Sequence, residues 1–304
     1  MKERFVSYFS GKLSTHKNPG GKKMEGKFIS RETIAQFRQY LEKEEKSNAT
    51  VEKYIRDVMA FASYINNGTV SKEQVIAYKQ HLLNVGYATR SINSMLASLN
   101  SLFAFLGWTD LHVKALKLQQ QVFCPEEKEL TRAEYERLCR TAQKKHNERL
   151  YLILQTICST GIRVSELPFI TAEAVRTGKA EVSLKGKIRA VLLPNELRKK
   201  LLRYSSEQHI ETGPVFITRG GRPISRTNIW REMKGLCAEA NVDPGKVFPH
   251  NLRHLFARIF YGIEKDIVRL ADVLGHSSVD TTRIYIISTG AEHRHCMERM
   301  HLVI

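Results

Sequence analysis

The chain has 304 residues, a length that suggests two domains, and its 42% hydrophobic content is enough for real cores and argues against wholesale disorder. Lys and Arg total 48 against 31 Asp and Glu, a net charge of +17 that favours a polyanionic partner, either nucleic acid or an anionic membrane surface. No apolar run approaches the roughly 18 residues of a membrane span, and no secretory pattern opens the chain, so a cytoplasmic location without membrane attachment is expected.

Residues 1–28 carry Gly11, Gly20, Gly21 and Gly26 among Lys12, Lys17, Lys22, Lys23 and Lys27 and predict a basic tail, solvated or in contact with a polyanion. Over 29–112 the period is helical. Ser30 opens the first helix. Ser47, Asn48 and Thr50 supply caps for a second, in which Val51, Tyr54, Ile55, Val58, Ala62 and Ile65 recur at helical spacing. Asn67-Gly68 ends that helix, Ser71 starts a third, Gly86 closes it, and a fourth runs from about Thr89 to Leu106. Four short helices in this span predict a compact bundle.

Between 113 and 128 the pattern dissolves into Lys114, Lys117, Gln119, Gln120, Gln121 and Pro125, as in a linker. A second domain, 129–304, opens with Thr131 and Glu134 spaced as a capping box. Glu148 to Ser159 predicts a buried helix. Val182, Leu184, Ile188 and Leu192 alternate around Lys185-Gly186-Lys187, which predicts a strand, a tight turn and a strand. Helices are expected over 197–208, from Ser225 or Thr227 through Ala240, over 251–261 and over 265–274. The fold class is therefore mainly α, with a small antiparallel sheet in the second domain.

No Walker loop, GxGxxG, HExxH or EF-hand loop is present. The five cysteines, Cys124, Cys139, Cys158, Cys237 and Cys296, lack a CxxC and fit free thiols. His293, His295 and Cys296 lack a distant matching pair, so no metal is expected. Candidate chemistry lies elsewhere. Arg163 follows a glycine turn and faces either a cleft or an ion pair with Glu166. Lys185 in its turn is either a solvated lysine or a mobile general acid. His250 and Arg253 sit at i and i+3 near a predicted helix start, where free amides and cations suit a phosphate. His276 follows the helix-ending Gly275. Tyr285, taken alone, is an ordinary core tyrosine.

Arg163, Lys185, His250, Arg253, His276 and Tyr285, in this order, resemble the tyrosine recombinase family of the lambda-integrase type. The strings TGIRVSEL, LKGK, HNLRHLFA and LGHSSVDTTRIY carry the resemblance. In the first domain NATVEKYIRDVMAFASYI and ATRSINSMLASLNSLFAFLGW look like the family's core-binding, SAM-like helices, so the likeness covers about 30 to 290. Pro168 after the arginine motif and Arg283-Ile284 before the tyrosine are small departures.

The resemblance implies Tyr285 as nucleophile, forming a 3′-phosphotyrosyl link. It implies Arg163 and Arg253 as phosphate donors, with His250 and His276 adding hydrogen bonds and His250 accepting the tyrosine proton. Lys185 would be the acid for the leaving 5′ oxygen. No cofactor is implied. The implied partners are double-stranded DNA with a specific site, clamped between the two domains, and four protomers acting through a Holliday junction; accessory DNA-bending proteins are admitted. Lys53, Arg56 and Arg90 are the candidate DNA contacts of the first domain. The tail after Tyr285, with Met297, Met300, Leu302, Val303 and Ile304, is expected to dock on a neighbouring protomer. The short basic tail points to a recombinase without an arm-binding domain, used for mobile-element integration, inversion or resolution. Two rival readings are a type IB topoisomerase and a catalytically silent DNA-binding regulator. The helical first domain and LGHSS context disfavour the first, and the presence of all six residue types disfavours the second.

Overall fold

The structure is a computed structural model that describes residues 26–117, 128–184, 187–285 and 297–300. It divides into two compact units, Met1–Gln120 and Gln121–Ile304. Most of the basic tail and the greater part of the expected linker lie outside the described residues. Among the described residues no helix is long and apolar enough to cross a membrane.

The first unit is built from α1 (Arg31–Lys43), α2 (Asn48–Tyr64), α3 (Lys72–Asn84) and α4 (Thr89–Phe105). Ser30, Ser47 and Ser71 cap the first three, each accepting from an amide three residues on, which satisfies a donor left free by the helix start. Phe37, Leu41, Val58, Phe61, Val75, Leu96, Leu99 and Phe103 fill the centre at helical spacing. The chain after α4 does not leave this unit at once. Val113 is buried against the bundle, and Asn100 and Asn93 hydrogen-bond the backbones of Val113 and Leu116. Side-chain amides thus pin a stretch expected to be linker.

The second unit begins with α5 (Arg132–Lys144), where Thr131 and Glu134 form the capping box, and α6 (Glu148–Thr160), a buried helix of Leu150, Ile153, Leu154 and Ile157. A 3-10 turn over Val164–Phe169 and α7 (Ala172–Thr177) lead into β1 (Lys179–Leu184) and β2 (Lys187–Leu192). Then come α8 (Asn195–Glu207), α9 (Arg226–Lys234), α10 (Cys237–Ala240), α11 (Pro249–Glu264), α12 (Ile267–Leu274) and α13 (Val279–Arg283). Helix α6 runs through the centre and packs on α5, α8 and α11.

Three local expectations are corrected. The helix predicted from Ser225 through Ala240 is broken, with Ser225 capping α9 and a turn at Gly235 preceding α10. The helix expected from Lys265 starts at Ile267, because Lys265 is left-handed (φ 56°) and Asp266 is the cap. In the hairpin, Ala180 pairs with Val191 and Val182 with Arg189, so β2 buries Val191 and leaves Ile188 and Leu192 exposed. Period-2 alternation allows either face inward. The inward face here is the one that brings Arg189 to a buried carboxylate.

Candidate active site

Four elements of the second unit converge on Tyr285. The first is the turn after α6. Gly161 ends that helix in the left-handed region (φ 63°), and a Cβ there would come within 2.5 Å of the Phe256 ring and 2.9 Å of Leu274. Only glycine allows this turn, which aims the Gly161 carbonyl at Arg253 and sends Arg163 to the site. Arg163 pairs with Glu166 at 2.8 Å, as the plain ion-pair alternative required, yet its side chain stays 37% exposed and keeps N–H donors open to a ligand.

Arg253 is 1% exposed on α11. One Nη donates to the Gly161 carbonyl, and the other donates to the Leu274 carbonyl at 2.8 Å and to His276 Nε2 at 2.9 Å. Its Nε is buried without a partner, a donor still available to a ligand. Burial, then the neighbouring Arg163, pushes its pKa down to about 10, so it remains a cation at neutral pH. Because a guanidinium can only donate, His276 Nε2 must accept, and the ring proton sits on Nδ1 and goes to Thr282 Oγ1 at 2.8 Å. Burial and Arg253 lower the His276 pKa to about 4, which agrees with a neutral ring. In this arrangement His276 holds Arg253 and has no N–H left for a phosphate, which differs from the donor role expected of it.

Pro249 is the first residue of α11, so His250 lies in its opening turn, one turn before Arg253 and His254. Tyr285 Oη lies 3.2 Å from His250 Nε2. Burial, followed by Arg253, Arg163 and Arg226, lowers the His250 pKa, leaving a neutral ring that can accept the phenolic hydrogen. The tyrosine itself is 6% exposed. Its ring stacks on His254 at 4.2 Å between centroids, meets His276 at 5.1 Å, and lies 5.7 Å from Arg253 Cζ.

Arg163, His250, Arg253, His276 and Tyr285 are therefore brought together. Lys185 lies outside the described residues, between the end of β1 and the start of β2 in the chain. His254, Thr282 and Arg189 were not singled out by sequence. His254 had a findable signal, being four residues from His250 on one helix face. The expected metal-free tail residues His293, His295 and Cys296, and Leu302 to Ile304, lie outside the described residues, while Met297 and Met300 are exposed.

In the first unit the three candidate contacts behave differently. Lys53 Nζ donates to Asp57 at 2.6 Å, to the Ser94 carbonyl at 3.0 Å and to Ser98 Oγ at 3.1 Å. All three ammonium hydrogens are engaged around a buried carboxylate, so Lys53 is a structural cation rather than a free phosphate contact. Arg56 is exposed, 3.9 Å from Asp57, and Arg90 is exposed on α4.

The sequence signature described as the Phage integrase family matches residues 128–292, and that of the Phage integrase, N-terminal SAM-like domain matches residues 34–110. The tyrosine recombinase XerA of Pyrococcus furiosus is 28% identical over 290 residues, spanning 92% of this chain and 98% of that protein. The tyrosine recombinase XerD of Halalkalibacterium halodurans is 28% identical over 285 residues, spanning 84% of this chain and 92% of its own. Among solved structures, a lambda integrase tetramer bound to a Holliday junction superposes with a TM-score of 0.68 at 17% identity, covering 84% of this chain and 76% of that one. The Tn1549 transposon integrase in complex with transposon right end DNA gives 0.66 at 17% identity, covering 88% and 98%. Both likenesses are of fold.

Proposed function

We propose, since this chain belongs to the phage integrase family and is a tyrosine-type site-specific recombinase, that Tyr285 cuts DNA by attacking a phosphodiester and carrying its 3′ end as a phosphotyrosine. The observation that carries this reading is the Tyr285 hydroxyl on neutral His250 Nε2, beside Arg253. A free phenol has a pKa of about 10 and is a weak nucleophile until a base or a cationic site assists it. His250 takes the phenolic proton as Tyr285 Oη bonds to phosphorus. The P–O5′ bond breaks, and Lys185 protonates the leaving oxygen.

Arg163, through its open donors, and Arg253, through its unpartnered Nε, stabilise charge gathering on the non-bridging oxygens. The phosphotyrosyl bond keeps the energy of the bond it replaced, so the 5′ hydroxyl of another strand reverses the step and joins the exchanged ends. Arg253 is covered in the described arrangement, so the phosphate enters as the Tyr285 ring shifts from its face. Arg56 and Arg90 contact the DNA backbone from the first domain, taken as 29–112, and 129–304 performs the chemistry.

Two pairs of protomers exchange strands through a Holliday junction, an assembly supported by the shared fold with a lambda integrase tetramer on such a junction. The biological use is mobile-element integration and excision, inversion or resolution. The test is incubation with a nicked suicide duplex. Wild type accumulates a covalent 3′ adduct, and Tyr285→Phe abolishes it while DNA affinity is retained. An adduct that survives the substitution would refute the assignment. Relaxation of any supercoiled plasmid without strand exchange would favour the topoisomerase instead.

A further inference from the structure

One more arginine lies at this site. Arg189 sits on β2, two residues after the strand begins, with its side chain 14% exposed. Its Nη2 donates to Glu166 Oε2 at 2.6 Å and its Nη1 to the Val273 carbonyl at 2.5 Å. Its stem crosses Gly275, where a Cβ would lie 2.3 Å from Arg189 Cδ. Gly275 (φ 64°) is therefore required twice, by its left-handed backbone and by the arginine that crosses it. One side chain thus ties the β-hairpin to the end of α12, immediately before His276, and to the carboxylate that holds Arg163.

Glu166 is the shared element. Its Oε1 accepts from Arg163 Nη1 at 2.8 Å, while Oε2 accepts both the Arg163 amide at 2.9 Å and Arg189 Nη2. Burial would raise this carboxyl, but the Arg163 amide and the Arg189 and Arg163 guanidiniums outweigh it and hold Glu166 ionised. A buried carboxylate with two cationic partners divides its pull between them. With Arg189 gone, the whole charge faces Arg163, the cation with an open side.

We propose that Arg189 is a positioning residue for recombination: through the shared Glu166 it sets how far the Arg163 guanidinium is free to reach the scissile phosphate. The proposal rests on the reading of Arg163 as a phosphate ligand. Arg189 itself does not touch DNA, because its Nη1 and Nη2 donate to Val273 and Glu166 and its remaining Nε is buried inside the unit. Lysine cannot replace it, since a single ammonium lacks the planar fork that meets two acceptors at once.

The test uses the full chain and nicked suicide duplexes of one sequence. One carries the ordinary phosphodiester and the other a methylphosphonate at the scissile position. The neutral methylphosphonate lacks the charge that Arg163 offsets, so a defect that acts through Arg163 shrinks on it, whereas a general loss of folding slows both substrates equally. Arg189→Gln is expected to slow adduct formation on the phosphodiester about 100-fold, the scale of a misplacement near 1 Å. On the methylphosphonate it should fall within about threefold of wild type, as should Arg163→Ala, and DNA affinity should change less than about twofold.

If Arg163→Ala is rescued by the methylphosphonate and Arg189→Gln is not, the Arg189 inference is wrong. If Arg163→Ala is not rescued, the phosphate role of Arg163 itself fails. A second measurement is the Glu166→Gln background, where adding Arg189→Gln should cost less than about threefold; a full loss there also overturns the proposal. Should the glutamine disturb folding, Arg189→Lys gives the same comparison with the charge retained.

Discussion

Acid should destabilise the second unit well before its carboxylates titrate, because the cage around Tyr285 is lined with histidines kept neutral. Burial and the neighbouring cations bring His254 and His276 down from 6.5 to about 4, with His250 lowered in the same direction. A histidine depressed in the fold binds fewer protons than in the unfolded chain, so its contribution is present above pH 6.5 and is lost as pH falls toward the folded value. For the well-buried His254, a shift from 6.5 to about 4 means that moving from pH 8 to pH 5 removes about 2 kcal/mol; His276 is more open to solvent, which screens its share to about 1 kcal/mol, so the two together remove about 3 kcal/mol. That is a large part of the 5–15 kcal/mol typical of a domain, and it corresponds to a urea midpoint lower by about 1.5 M. Urea unfolding followed by hydrogen exchange in α6 and α11 peptides measures it at the two pH values. His254→Phe keeps a ring against Tyr285 but removes the better-buried titrating group, so the acid loss should shrink by more than half. A midpoint that is flat from pH 8 to pH 5, or a loss that His254→Phe leaves unchanged, would refute the burial argument.

Gly161→Ala should cost about 2–4 kcal/mol, summing a left-handed backbone and a Cβ driven into Phe256 and Leu274. Covalent adduct formation should fall with it, because the same carbonyl orients Arg253; urea unfolding and the suicide assay read the two effects. Lys53→Ala should lower the stability of the first unit by about 1–3 kcal/mol, since it leaves buried Asp57 with only the Ser98 hydroxyl and the more distant Arg56. Arg90→Ala should leave stability unchanged and reduce the slope of log affinity against log salt by about one, measured by DNA-binding titrations at several salt concentrations. Thr131→Ala should cost about 1 kcal/mol in urea unfolding, because the Glu134 amide loses its hydroxyl acceptor while the Thr131 amide keeps the Glu134 carboxylate.

Elements whose causes are local were legible in the sequence. Ser30, Ser47, Ser71 and Thr131 announce helix starts because a short hydroxyl three residues from an amide needs nothing else. Gly161 and Gly275 mark the two turns of the site for the same reason. What failed depended on residues far apart in the chain. Lys53 was expected to contact DNA from a helix surface, but its partners Ser94 and Ser98 come from α4, some 41 and 45 residues later. The inward face of β2 could not be chosen by alternation, because Ile188 and Val191 compete for it and Arg189 settles the choice through a buried ion pair.

The order of motifs identified which cations belong together but not how they divide the work. Two arginines on one phosphate would repel each other unless each were held by other acceptors. The fold solves this with different partners: Arg163 leans on a carboxylate it shares with Arg189, and Arg253 leans on the carbonyls of Gly161 and Leu274 and on His276. Carbonyls and a neutral imidazole orient a guanidinium without cancelling its charge, whereas a carboxylate partly does. Arg253 is therefore the fixed cation of the site, and Arg163 the one whose availability can be tuned, which is why the buried neighbour of Glu166 matters to the chemistry although it faces away from any ligand.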